Sequence, residues 1–288
     1  MATLRDIRRR ITSVKSTQQI TKAMKMVAAA KLRRAQERMH KARSYARSLD
    51  EMMGHVSAKV EANLHPLLAV REPKKVAVVV LSGDRGLAGS FNANIIRRAV
   101  NEVQSLREGG AEVKMICVGR KSYEFFNKRN YSLLAHYINF FNNLDFSNAQ
   151  DIAALINEKY VAADLDRVYL VYNEFKSVVQ QKIVVQQLLP IVPRPPEAEK
   201  YPADYLFEPA PAKLLDSLCP RYLNIEVWQS LLESYAAELG ARMSAMDAAT
   251  ENAQEVLEQL RLHYNKARQA SITKELLDIV GGAEALQK

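Results

Sequence analysis

The chain has 288 residues, of which 48% are hydrophobic and 25% are charged, values that are ordinary for a protein with a folded core. Its 10 glycines and 10 prolines are too few for a collagen-like or low-complexity architecture. The longest uninterrupted apolar run, Val76–Leu81, is far shorter than the ~20 residues that span a bilayer. No apolar segment follows the basic N-terminus, so we expect no secretory signal.

The positive charge of the chain is concentrated at one end. The formal net charge is +9, and residues 1–50 alone hold 14 Lys and Arg against three acidic side chains. The other 238 residues hold 27 basic and 29 acidic side chains, so they are nearly neutral. This asymmetry indicates an interaction arm that binds nucleic acid, lipid headgroups or an acidic protein surface.

Residues 1–60 have the apolar pattern of a coiled-coil helix. Alternate steps of three and four residues reach 17 positions, and 14 of them are apolar, a period typical of a left-handed coiled coil. We call these positions the N-terminal seam: Leu4, Ile7, Ile11, Val14, Gln18, Thr21, Lys25, Ala28, Leu32, Ala35, Met39, Ala42, Ala46, Leu49, Met53, Val56 and Val60.

Residues 212–286 carry a second seam, which runs from Leu218 to Ala267 with 13 apolar residues among 15 positions. Pro220 lies near its beginning, where proline is tolerated in a first helical turn or makes a kink. Each stripe is too narrow to be stable alone in water, so we predict that the two helices pair as a long antiparallel coiled coil. With Leu4 beside Ala267, residues 268–286 would form an overhanging tip.

Two departures from the seams are informative. The three polar positions of the N-terminal seam are consecutive, and nearby large apolar residues, Ile20, Met24 and Val27, move to another face. The overhanging tip is rich in apolar residues although its seam has ended. An isolated helix of this kind is not stable in water, so we expect something outside this chain to cover it.

Residues 75–210 have the alternating pattern of an α/β domain. Strand-like runs alternate with helical patterns, which predicts an open, largely parallel sheet, and a further strand-like stretch is a candidate antiparallel edge. Pro190–Pro211, with seven prolines, is the predicted linker to the second long helix. The strand-like runs are Val76–Leu81, Val113–Val118, Val168–Tyr172 and Val178–Leu189, and the helical patterns are Asn92–Ser105, Lys121–Asn127 and Asn148–Ala163.

A glycine-rich segment, Ser82–Ser90, lies between a predicted strand and a predicted helix. Its glycines are spaced G-x-x-G-x-x-G, which matches neither the dinucleotide fingerprint nor the P-loop. We therefore interpret it as a tight turn, with Ser90 or Asn92 as the N-cap of the helix. In that turn we expect Gly86 to need a positive φ.

The sequence gives little support for an enzyme. Its five histidines are scattered without metal-ligand spacing. Its two cysteines, Cys117 and Cys219, have no C-x-x-C partner and are too few for a disulfide framework or a metal cluster. We expect no catalytic residue, cofactor or metal, and we expect the reducing cytoplasm.

Three segments resemble one known family. Residues 11–36 and 264–283 resemble the N-terminal and C-terminal signatures of the F-type ATP synthase gamma subunit of bacteria, and Leu81–Gly89 resembles its glycine turn. The likeness covers the whole chain in the family's order. Ala88 stands where many relatives have Cys, and the cysteine-bearing redox insertion of the chloroplast type is absent, so thiol control is not expected.

The resemblance implies a central rotor shaft rather than an enzyme. In this family the coiled coil penetrates a hexamer of alpha and beta subunits, and the lower end attaches to the epsilon subunit and to the membrane ring of c subunits. Proton-driven rotation of the ring changes the affinities of the beta catalytic sites. A peripheral location on the cytoplasmic face of the inner membrane follows, with membrane contact only through the c-ring and without nucleic acid.

The resemblance also implies roles for individual residues. Polar groups near the C-terminus would contact a beta-subunit loop, basic residues of the first helix would face acidic beta-subunit loops, and apolar tip residues would slide in a bearing. The beta-facing residues are Lys22, Met24, Lys25, Lys31, Arg33, Arg34, Arg268, Gln269 and Thr273. The bearing residues are Leu276, Leu277, Ile279 and Val280, and the candidates for the c-ring foot are Tyr205, Phe207 and Glu208.

Two other functions stay open from the residues themselves. A nucleotide-binding α/β enzyme with a coiled-coil arm would hold phosphate at Gly83–Gly89. A basic coiled-coil nucleic-acid-binding protein would use residues 1–50, and its affinity would fall steeply with salt through counterion release.

Overall fold

The computed structural model describes residues 3–57, 65–193 and 210–286. They form two compact units, Met1–Ala28 with Met243–Lys288, and Ala29–Arg242. We call these the first and the second unit. The predicted fold class is confirmed, because a largely parallel sheet lies in the middle of the chain between two long helices. No helix of the described residues is long and apolar enough to cross a membrane.

The sheet of the second unit has five strands in the order β3-β2-β1-β4-β5. They are β1 (Lys75–Leu81), β2 (Glu112–Val118), β3 (Leu133–Tyr137), β4 (Arg167–Phe175) and β5 (Gln181–Leu189). The first four run parallel, and β5 pairs with β4 in the antiparallel direction at one edge. This edge strand was predicted from the sequence. The opposite edge strand, β3, was missed.

The two long helices are α1 (Leu4–Ser57) and α5 (Pro211–Leu286), and the sheet is covered by α2 (Phe91–Glu108), α3 (Arg120–Lys128) and α4 (Phe146–Val161). Residues 76–81 of β1 are all buried, as expected for a central parallel strand. Between the sheet and α2 and α3 lies an apolar core that includes Val78, Val80, Ile95, Met115 and Phe126. Pro220 does not begin α5; it lies inside the helix, nine residues after its first residue, Pro211.

In the first unit the predicted antiparallel pairing is present. Three hydrogen-bonded side-chain pairs join α1 to α5: Gln18 with Gln254 (2.8 Å), Thr21 with Thr250 (2.8 Å) and Lys25 with Asp247 (2.5 Å). Seventeen steps along each helix from Thr21 and Thr250 lead to Leu4 and Ala267, which is the predicted register.

The three polar positions of the N-terminal seam, Gln18, Thr21 and Lys25, face α5 like the apolar positions. Thr21 is buried and Gln18 and Lys25 are half-buried, like the apolar seam positions around them. The side chains of Ile20 and Val27 lie on another face and are 59% and 56% exposed. The expectation that large apolar residues turn away from the seam is therefore confirmed for these two residues, whereas Met24 is half-buried.

Candidate functional site: the strand-end socket and the helix surfaces

The glycine-rich segment is held together by its own side chains. The Asp84 carboxylate accepts hydrogen bonds from the backbone N–H groups of Arg120 (3.0 Å), at the start of α3, and of Asn139 (2.9 Å). The Asn92 amide accepts from the Gly83 N–H (2.8 Å) and donates to the Arg85 carbonyl (3.1 Å). The Gly83 N–H is therefore engaged within the protein, and Asp84 fixes the segment to the start of α3 and to Asn139.

Two details of the predicted turn are corrected by the structure. Ser90 occupies the N-cap position of α2 without a side-chain capping hydrogen bond, and Asn92 bonds to the loop instead. The positive φ angles belong to Leu87 (62°) and Gly89 (56°), whereas a side chain at Gly86 would meet open space. The expectation that Gly86 needs a positive φ is wrong, because the chain bends sharply three residues later.

In parallel α/β sheets, ligands bind beyond the carboxyl ends of strands where the strand order reverses. Here that crevice lies between β1 and β4, because the chain leaves β1 toward β2 and later returns on the other side. α5 fills it. Ser234 donates to the carbonyl of Leu81, the last residue of β1, and Glu233 accepts from the N–H of Phe175, the last residue of β4. We call the strand ends and the loop that contact α5 the strand-end socket: Leu81, Gly83, Gly86 and Phe175.

Glu233 is the most buried carboxylate that contacts the socket. Its side chain is 1% exposed and binds the Arg43 guanidinium of α1 through two hydrogen bonds, one of them 2.8 Å long. Arg43 also donates to the Phe175 carbonyl (3.0 Å), so both polar groups of Phe175 are bound. The hydrogen bonds that Arg43 donates to Glu233 are the main cause of the raised pKa of Arg43. Two parallel hydrogen bonds of this kind fix the orientation of the two side chains.

A second buried carboxylate, Glu238, lies against the glycine-rich segment. A Cβ added at Gly83 would stand 2.8 Å from its carboxyl group, so any larger residue there would force the Glu238 side chain to move. Arg242 binds Glu238 (2.5 Å) and also donates to the Gly86 carbonyl (3.4 Å). Burial raises the pKa of Glu238, and the charge of Arg242 opposes this shift.

A further cavity of the second unit does not have the lining of a catalytic centre. A cavity of about 620 Å³ lies between α1, α5 and the β4–β5 edge, and its walls carry both signs of charge, as in Arg47, Asp50, Lys182 and Glu226. Within the described ranges, no three His, Cys, Asp or Glu side chains come together as a metal site would need.

The basic residues proposed to face beta-subunit loops differ in their surroundings. In the first unit, Lys22 is exposed, and Lys25 is half-buried because it pairs with Asp247. In the second unit Lys31, Arg33 and Arg34 are exposed, and Arg33 lies 3.7 Å from Glu37. Lys25 therefore has a role inside the coiled coil that sequence reasoning missed. The two seam threonines, equally far from Leu4 and Ala267, were a signal of this polar section.

The C-terminal candidates lie on the exposed end of α5. Arg268 and Gln269 are exposed, and the Thr273 hydroxyl donates to the Gln269 carbonyl (2.9 Å). The four bearing residues are between 58% and 68% exposed: Leu276, Leu277, Ile279 and Val280. The candidates for the c-ring foot, Tyr205, Phe207 and Glu208, lie outside the described residues.

Comparison with known proteins gives a consistent result. The family model described as ATP synthase matches residues 3–286. The ATP synthase gamma chains of Chlorobaculum parvum and Pelotomaculum thermopropionicum are 51% and 50% identical to this chain, and each alignment covers both proteins in full.

Solved structures agree at the level of the fold. A chain from the central stalk and c-ring of the Tetrahymena thermophila mitochondrial ATP synthase matches with a TM-score of 0.60 and 28% identity, over 80% of this chain and 99% of that one. A chain of the Euglena gracilis mitochondrial ATP synthase matches with a TM-score of 0.68 and 21% identity, over 98% and 94%. On this evidence the chain belongs to the ATP synthase gamma chain family.

Proposed function

We propose that this chain is the non-catalytic central rotor shaft of an F-type ATP synthase. It couples proton-driven rotation of the c-subunit ring to ATP synthesis or hydrolysis at the catalytic sites of the beta subunits. Its partners are the alpha, beta and epsilon subunits and the c-ring. It lies peripherally at the cytoplasmic face of the inner membrane and contacts the membrane only through the c-ring.

The observation that carries this proposal is the exposed end of α5. From Ile272 to Val280 five large apolar side chains are 49% to 68% exposed on a helix that has no partner helix there among the described residues. A lone helix with this surface is not stable in water, so a partner must cover it. The hexamer of alpha and beta subunits is that partner, and Leu276, Leu277, Ile279 and Val280 slide within it as an apolar bearing.

The basic collar supplies the contact that changes with angle. We define it as Lys22, Lys25, Lys31, Arg33 and Arg34, with Met24 beside them. Exposed ion pairs contribute only about 0–1 kcal/mol each, so contacts between the collar and acidic beta-subunit loops break readily as the shaft turns. Torque requires interactions that differ between rotary states, because an equilibrium shifts only by differential affinity. Arg268, Gln269 and Thr273 add polar contacts to a beta-subunit loop.

The absence of a catalytic role is supported by the strand-end socket. In a nucleotide-binding relative of this topology, the crevice between β1 and β4 would hold the ligand. Here α5 and its buried side chains occupy it. ATP chemistry therefore takes place on the beta subunits. Tyr205, Phe207 and Glu208, which lie outside the described residues, are the candidates for the foot on the c-ring.

Reconstitution tests the proposal directly. The chain is combined with alpha, beta, epsilon and membrane subunits, and ATP-driven proton pumping into vesicles is compared with a preparation that lacks it. We expect a stoichiometric complex with three copies each of alpha and beta, and pumping only when the chain is present. Pumping that is the same without the chain would contradict the proposal.

The two alternatives have their own measurements. Equilibrium dialysis of the full chain with ATP would reveal binding at Gly83–Gly89, and we expect none. Nucleic-acid binding that weakens steeply between low and physiological salt would favour the second alternative.

A further inference from the structure

α5 is contacted on two sides where it passes the ends of β1 and β4. On one side is β4: the N–H of Phe175 bonds to Glu233 (3.0 Å), and the Phe175 ring would lie 3.2 Å from a Cβ at Gly240. On the other side are β1 and the glycine-rich segment, which contact Ser234, Glu238 and Arg242.

The helical repeat shows that these contacts surround much of the α5 circumference. At roughly 100° per residue, Gly240 is only about 20° from Glu233, whereas Ser234, Glu238 and Arg242 lie about 100° to 180° away from it. The two groups of contacts therefore act on opposite sides of the helix. Rotation of α5 about its own axis would break contacts on both sides together.

The contacts are also of a kind that resists rotation. Apolar contact is not directional, so two apolar surfaces can slide with little loss. Hydrogen bonds weaken steeply when their angle or distance changes. Arg43 extends the same bonding to α1, since its guanidinium binds both Glu233 and the Phe175 carbonyl. One residue of β4 thus joins the sheet to both long helices.

We propose that the strand-end socket is the torsional joint of the shaft, and that Arg43 and Glu233 are its positioning residues. The joint prevents the helices from turning within the α/β domain when that domain is driven from below. This inference rests on the proposed function as rotor shaft. The crevice between β1 and β4, where related folds bind a ligand, would then serve to hold α5 against rotation.

The test replaces the buried pair with apolar side chains of similar size. Apolar replacement of a buried ion pair is often neutral or stabilising, so Arg43→Met with Glu233→Leu should assemble while the directed contacts to Phe175 are lost. Protons pumped per ATP hydrolysed are measured in vesicles at equal amounts of assembled complex. We expect this ratio to fall roughly twofold or more, in line with the stabilisation from one or two buried hydrogen bonds.

Matched controls separate the joint from simple stability. The α2 pair Arg98 and Glu102 has the same chemistry at 3.0 Å, and Arg98→Met with Glu102→Leu should leave the pumping ratio unchanged. Arg43→Lys keeps a charge for Glu233 but loses the planar fork that also reaches Phe175, so it should lower the ratio by a smaller amount.

The outcomes are distinct. If the assembled double variant pumps with the native ratio, the joint is overturned while the rotor function stands. If the double variant does not assemble, Arg43→Lys decides, and a native ratio for it also overturns the proposal. If the native chain itself supports no pumping, the proposed function fails first.

Discussion

The same helix, α5, has opposite surroundings at two places. Between residues 230 and 240 nearly every side chain is buried, including Glu233 and Glu238, and both carboxylates have arginine partners. Between residues 268 and 280 nearly every described side chain is exposed, including five large apolar ones. Carboxylate side chains are therefore buried between residues 230 and 240, whereas large apolar side chains are exposed between residues 268 and 280.

The difference shows that α5 is built for two kinds of contact. Buried charges are tolerated only with directed partners, so residues 230–240 form a fixed contact within the chain. Contact through apolar side chains does not depend on the relative orientation of the two surfaces. Residues 268–280 are therefore suited to a partner that moves past them.

Removing one carboxylate at each place tests whether burial makes the two differ in their contribution to stability. Glu233→Ala leaves the Arg43 charge and the Phe175 N–H without their partner, and we expect a loss of about 3–5 kcal/mol of unfolding free energy. Glu275→Ala, on the exposed part of α5, should change it by less than about 0.5 kcal/mol. Urea unfolding followed by circular dichroism measures both. Similar losses for the two variants would show that burial does not distinguish the two places.

The second prediction concerns the pH dependence at Glu238. Its pKa is raised above the ordinary 4.5 by burial, so between these two values the folded state holds a proton that the unfolded state has lost. Stability of the native chain should therefore fall, relative to Glu238→Gln, as pH rises from 4.5 through the raised pKa. Unfolding midpoints of both chains at several pH values measure this. A difference that is constant with pH, or grows in the opposite direction, would contradict it.

The third prediction concerns the collar, where Lys25 must be separated from Lys22. Exchanging Lys25 and Asp247 (Lys25→Asp with Asp247→Lys) keeps their ion pair but moves the positive charge to α5. With Lys22→Glu added, the collar holds two acidic and three basic side chains, so its formal charge falls from +5 to +1 while the coiled coil keeps its polar section. We expect chain stability to change by less than about 1 kcal/mol, with a larger loss of proton pumping than of assembly. The exchange without Lys22→Glu is the control. Normal pumping by the triple variant would contradict the role of the collar.

The smallest effect on the chain itself is expected at the tip. Truncation after Leu277 removes a segment that we expect to contribute little to stability. The unfolding free energy of the isolated chain should therefore change by less than about 0.5 kcal/mol. In the complex, loss of Ile279 and Val280, two of the four bearing residues, should lower assembly or stability but leave hydrolysis coupled to pumping. Loss of pumping in fully assembled truncated enzyme would show that the tip, rather than the collar, carries the angle-dependent contact.

The long helices were predictable because their period is local. Every N-terminal seam position from Leu4 to Val56 is buried or half-buried, polar positions included. The register was predicted by placing Leu4 beside Ala267, and the contact between Thr21 and Thr250 agrees with it. Such a pattern depends only on which residues repeat, so no tertiary information is needed.

The strand-end socket was not predictable in the same way. A glutamate on a helix normally faces solvent, and nothing near Glu233 in the sequence indicates Arg43, 190 residues away. β3, with the sequence Leu-Leu-Ala-His-Tyr, is five residues long and has no β-branched side chain, so its pairing with β2 overrides a weak local preference. The glycine turn was recognised, but the close approach of Glu238 to Gly83 comes from another element and could not be read from the turn itself.

The pairing of Gln18 with Gln254 joins residues 236 positions apart, and this has a consequence for biosynthesis. At roughly 5–20 residues per second, α1 leaves the ribosome about 10–50 s before its partner segment exists. During that interval its apolar stripe has nothing from this chain to cover it. The βα units between the helices are local in sequence and fold first. Closure of the helix pair is then the last intramolecular step, and a chaperone that shields α1 until that moment would raise the yield of folded chain.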